Sequence, residues 1–71
     1  LEPMTLAQHA DAVVARLEDS HWFVRMRASK TLGKLDPATL AQHTDALVAR
    51  LEDSVYFVRE AALQTLGKLD A

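Results

Sequence analysis

Polar and apolar positions along the chain follow helical spacing. Between residues 37 and 52, Leu40, Thr44, Leu47, Val48 and Leu51 fall on one stripe, while Gln42, Asp45, Ala49 and Glu52 fall opposite. Asp53-Ser54 interrupts the period and can cap a following helix, whose stripe is Val58, Ala62, Thr65, Leu66 and Leu69. The same two stripes stand 34 residues earlier, so the pattern predicts first helices from about Pro3 to Glu18 and Pro37 to Glu52. Asp36 is a good N-cap, with Pro37 at the first helical position, where the missing N–H costs nothing. Glu2 is the poorer cap in the first copy, which predicts more fraying there. Gly33 and Gly67 are placed to end the second helices as left-handed residues, with Leu35 and Leu69 folding back apolar contact. No alternating run and no Asn-Gly or Asp-Gly turn suggests a strand. The expected fold is all-α: four helices in two antiparallel hairpins with connections of about 2–4 residues.

Residues 1–34 and 35–68 align as 34 pairs, of which 24 are identical. Residues 1–34 form a first repeat, and 35–71 form a second plus the start of a truncated third copy. Leu1-Glu2-Pro3 matches Leu35-Asp36-Pro37, and Leu69-Asp70-Ala71 begins the phrase again, so both ends read as cuts through a longer array. The lack of an initial Met fits an excised or processed piece. Such identity fits either a recent duplication or a consensus design with no natural partner.

The pattern Asp-x4-Val-Arg-x2-Ala-x3-Leu-Gly, present as Asp53, Val58, Arg59, Ala62, Leu66 and Gly67, resembles the HEAT repeat. Asp19, Val24, Arg25, Ala28, Leu32 and Gly33 carry it in the first copy. The resemblance implies an α–α superhelix, here a solenoid fragment, with the second helices lining a concave face in a right-handed stack. It also implies that Asp19, Arg25, Asp53 and Arg59 belong to a structural ladder between neighbouring repeats. The tetratricopeptide repeat has a similar period but wants Trp and Gly-x2-Tyr in its first helix, and neither copy has them there.

Six of the ten differing pairs fall in one window: His21/Val55, Trp22/Tyr56, Met26/Glu60, Arg27/Ala61, Ser29/Leu63 and Lys30/Gln64. Helical spacing puts positions 22, 26, 29 and 30 on one face, opposite Val24 and Ala28. The exposed face of the first helices hardly differs: Gln8/Gln42, Asp11/Asp45, Ala12/Ala46, Ala15/Ala49 and Arg16/Arg50 are identical pairs. Drift would touch both faces alike. Trp22, Met26, Ser29, Lys30, Tyr56, Glu60, Leu63 and Gln64 are therefore the expected partner-binding residues, for a protein or peptide on the face of the second helices. Phe23 and Phe57, at the flank of the stripe, are expected to pack.

Composition narrows the chemistry. The net charge is −2, and the repeats carry five basic against four acidic side chains (1–34) and three against six (35–71). A phosphate-tracking stripe would have to continue across copies, yet Met26 becomes Glu60 and Lys30 becomes Gln64. A nucleic-acid-binding module is thus the lesser alternative, and no nucleic-acid partner is expected. Without cysteine, neither a disulfide framework nor a thiolate metal site exists, which fits a reducing compartment such as the cytoplasm. No apolar run approaches the roughly 18 residues of a membrane span.

No catalytic, cofactor or metal residue is expected. Stacked repeats would put His9 and His43 about 8–10 Å apart, too far to share one ion; each is expected to be a helix-edge residue with a structural hydrogen bond. His21 is expected to be a half-buried turn residue. There is no Gly-x-Ser-x-Gly elbow or phosphate-cradling glycine loop. The expected function is a non-catalytic protein-interaction scaffold. Two repeats without polar caps should leave Leu6, Val13 and Leu17 at one end, or Leu51 and Leu69 at the other, partly uncovered. Self-association is therefore expected, as an end-to-end homo-oligomer or a domain-swapped dimer.

Overall fold

In the computed structural model, residues 3–70 are described, and all their regular elements are helical. The first repeat contains α1 (Pro3–Gln8), α2 (Ala10–Ala15), a 3-10 turn at Arg16–Glu18 and α3 (Trp22–Leu32). The second contains α4 (Pro37–Ala41), α5 (Thr44–Ala49), a 3-10 turn at Arg50–Glu52 and α6 (Tyr56–Gly67), followed by a 3-10 turn at Lys68–Asp70. Glu2, read as the weaker cap, and Ala71, at the start of the third copy, lie outside the described residues.

Each first helix, expected to be continuous, is broken at the same place in both copies. His9 and His43 sit at φ −116° with ψ 15° and 17°, outside helical geometry. Their N–H groups donate to the carbonyls of Leu6 and Leu40, at 3.0 and 2.9 Å, three residues back instead of four. Neither histidine side chain caps the helix that follows. Val48, expected on the stripe, is 46% exposed, whereas its twin Val14 packs against the core. Asp36 caps α4 as its sequence suggests: its carboxylate accepts from the Thr39 N–H at 3.2 Å and the Thr39 hydroxyl at 2.7 Å.

The second helices stop without left-handed glycines. Gly33 has φ −64° and ψ −12°, and neither glycine has positive φ. Gly33 instead admits a close approach, since a Cβ there would meet the Lys68 side chain at 3.0 Å and the Lys30 carbonyl at 3.1 Å. A Cβ at Gly67 would meet nothing within 4 Å outside its own helix among the described residues. Gly67→Ala is therefore expected to raise stability by about 0.5–1 kcal/mol, the helix-propensity difference, and Gly33→Ala by less; paired thermal melts check this.

The core runs through both repeats: Leu6, Ala10, Leu17, Ala28, Leu32, Leu35, Leu40 and Leu47 form one buried cluster. Leu6 and Leu17, expected to be partly uncovered, are fully enclosed at 0% and 1% exposure. Repeat two stacks on the Leu17 side of repeat one, whereas Leu6 is covered within the cluster. The uncovered positions are Val13 at one end and Leu51 and Leu69 at the other, all half-buried.

Candidate interaction surface

The second helices, α3 and α6, pack side by side. Where they meet, the Thr65 hydroxyl donates to the Ser29 carbonyl at 2.8 Å. Ser29 is 0% exposed and Ala61 1%. Ser29, expected on a partner-binding face, is therefore buried between repeats, and Met26 is half-buried. The physical reason is that a stacked second helix has two buried sides, one against its own first helix and one against the next repeat. A single hairpin's stripe reveals only the first.

The twins of these residues face solvent. Leu63, matching Ser29, is 64% exposed; Glu60, matching Met26, and Arg27, matching Ala61, are exposed too. The differing positions 26/60, 27/61 and 29/63 thus separate the inner faces of the stack from its two ends. Lys30 and Gln64 are exposed.

Below this contact, an ion-pair network ties the repeats together. Arg25 Nε and Nη2 donate to Asp53 Oδ2 and Oδ1, at 2.8 and 3.1 Å. Arg25 Nη1 also donates to the Asp19 carbonyl at 2.8 Å. Arg50 Nη1 crosses the interface to the Leu17 carbonyl at 2.9 Å and touches Asp53 Oδ2 at 3.3 Å. Asp53 Oδ1 further accepts from the Val55 N–H at 2.9 Å, which shapes the turn into α6. The Asp53 carboxylate is 3% exposed, and the Arg25 guanidinium beside it holds its pKa below the usual carboxylate range despite burial. Asp19 is the open-ended counterpart: its Oδ1 accepts from the His21 N–H at 2.9 Å, which lowers its pKa, and Arg16 stands 3.7 Å away. Arg59 donates to the Asp53 carbonyl at 2.7 Å and has no carboxylate partner among the described residues. His21, expected to be half-buried, has an 81% exposed side chain.

The first turns of α3 and α6 carry a row of rings. Phe23 meets Trp22 edge-on at 5.8 Å, Trp22 stacks across the repeat boundary on Phe57 at 5.6 Å, and Phe57 meets Tyr56 edge-on at 5.6 Å. Their exposures are 51% for Phe23, 41% for Trp22, 53% for Phe57 and 59% for Tyr56. Phe23 and Phe57, expected to pack, do so against the neighbouring rings, while half of each meets solvent. The row has charged ends: Arg27 lies 5.6 Å over Phe23, and the Tyr56 hydroxyl donates to Glu60 Oε2 at 3.3 Å. The signal available in the sequence was the adjacent aromatic pair, Trp22-Phe23 and Tyr56-Phe57, at one repeat spacing.

Among the described residues no group of His, Cys, Asp or Glu is arranged to hold a metal ion, and no helix is long and apolar enough to cross a membrane. Helical hairpins stacked at a fixed period, here tied by the Arg25–Asp53 ion pair, define an α-solenoid. Residues 4–67 match the family described as HEAT repeats, and the chain belongs to that family. No curated protein and no solved structure matches it.

Proposed function

We propose that the chain is a non-catalytic protein-interaction scaffold that binds a protein or peptide partner on the aromatic row of its second helices. The observation that carries this reading is the continuity of Phe23, Trp22, Phe57 and Tyr56 across the repeat boundary. Aromatic rings give large contact area at low entropic cost and dominate interface hot spots. Arg27 and Glu60 at opposite ends of the row supply a polar rim of both signs. Glu60 and Leu63 lie beside Tyr56, and Lys30 and Gln64 are exposed further along the second helices.

The test is selection of peptides from a random library on the wild-type chain, with affinities then measured on Trp22→Ala/Phe57→Ala. Loss of the central stacked pair should weaken the selected peptides at least tenfold while circular dichroism shows the helices retained. Peptides that bind both forms equally would refute the reading. An oligonucleotide complex that forms at low salt and collapses as salt rises would favour the nucleic-acid alternative instead.

A further inference from the structure

The contact between the two repeats is a template for the two faces left open at the ends. On the inner face of repeat one lie Leu17, Trp22, Arg25, Ser29 and Gly33. Their twins Leu51, Tyr56, Arg59, Leu63 and Gly67 form the open face of repeat two, where Leu51, Tyr56, Arg59, Glu60 and Leu63 line one shallow groove. The inner face of repeat two uses Leu47, Arg50, Asp53, Phe57, Ala61 and Thr65. At the opposite end of the molecule, Val13, Arg16, Arg27 and Thr31 of that twin set line a second, apolar groove with Val24 and Ala28.

We propose that these two faces dock on one another between molecules, so that the 71-residue chain assembles head to tail with a second copy of itself. Four contacts of the internal boundary have a counterpart at this junction. Arg59, without a carboxylate partner among the described residues, meets Asp19 of the next copy as Arg25 meets Asp53. Arg16 reaches the Leu51 carbonyl as Arg50 reaches that of Leu17. Tyr56 stacks on Phe23 as Trp22 stacks on Phe57, which extends the aromatic row from one molecule to the next. The open space at Gly67 receives Lys34 as Gly33 receives Lys68.

The two substitutions that enlarge the end faces fix the strength of this junction. Leu63 and Arg27 replace the buried Ser29 and Ala61, so the faces cannot approach as closely as inside the molecule. Glu60 on one face and Arg27 on the other bring opposite charges to the same layer. The assembly is therefore reversible and concentration-dependent, and being heterologous it is open-ended. It goes beyond the peptide-binding reading and leaves the central Trp22–Phe57 pair free.

Sedimentation equilibrium with charge-exchanged chains tests it. The wild-type mass should rise with concentration past that of a dimer. Arg59→Glu and Asp19→Lys should each stay monomeric alone, and an equimolar mixture should regain assembly, because every junction in the mixture again joins opposite charges. Leu63→Lys, at an exposed position that folding does not need, should weaken association at least tenfold and decides the matter if a charge variant fails to fold. A wild-type monomer at all concentrations, a discrete dimer that grows no further, or a mixture that stays monomeric would overturn the proposal.

Discussion

Asp53→Ala is expected to remove a large part of the chain's folding stability at neutral pH. The substitution strips the Arg25 guanidinium, whose side chain is 13% exposed, of both its carboxylate contacts. It also removes the acceptor for the Val55 N–H and a contact to Arg50. Breaking a buried pair from one side costs about 3–5 kcal/mol, because the remaining charge stays desolvated. A domain of this size has only about 4–10 kcal/mol in hand. Asp53→Asn, which keeps the shape, should lose less, and urea titration of the two variants measures both.

The same carboxylate gives a pH signature. Its pKa in the folded chain is lowered, chiefly by the Arg25 hydrogen bond, and Asp19 and Asp36 are lowered by His21 and Thr39 respectively. A depressed folded pKa contributes stability that is fully present above the unfolded value of about 3.9 and is lost as pH falls through the folded value. Melting temperature should thus hold steady from pH 7 to 5 and fall below about pH 4. The fall should be shallower in Asp53→Asn, which starts lower and has one fewer proton to take up.

Leu17→Ala is the second large effect, expected to cost about 3 kcal/mol, with Leu51→Ala costing about 1 kcal/mol or less. The two leucines stand in identical Val-Ala-Arg-Leu-Glu-Asp-Ser phrases. Only stacking distinguishes them: Leu17 is 1% exposed under the second repeat, whereas Leu51 is half-buried at the open end. Equal costs from denaturant titration would mean that the repeats do not cover one another.

The same asymmetry explains what the sequence could reveal. Stripes such as Leu40–Leu47 and Val58–Ala62–Thr65 located the helices because a hairpin's own core repeats with the helical period. The Asp36 cap was legible for the same local reason. The breaks at His9 and His43 were not, since no proline or glycine marks them. Ser29 was misplaced because its burial comes from α6, which a single helix's pattern cannot show. Its small size, against Leu63, and that of Ala61, against Arg27, were the available signs of close approach. The Gly33 and Gly67 readings erred by assigning a turn conformation where the structure has helical backbone and, at Gly33, tight contact. The aromatic pairs were visible, but only the fold joins Trp22 to Phe57.

Two HEAT repeats stacked so that one ion pair and one ring pair bridge them is the claim on which the rest depends. Proton–proton contacts measured by solution NMR test it most directly. Cross-peaks should join the Trp22 indole to the Phe57 ring and Ala61 to Ser29 within a single molecule at low concentration. Hairpins that each show their own internal contacts, with no cross-peak between the repeats, would contradict it.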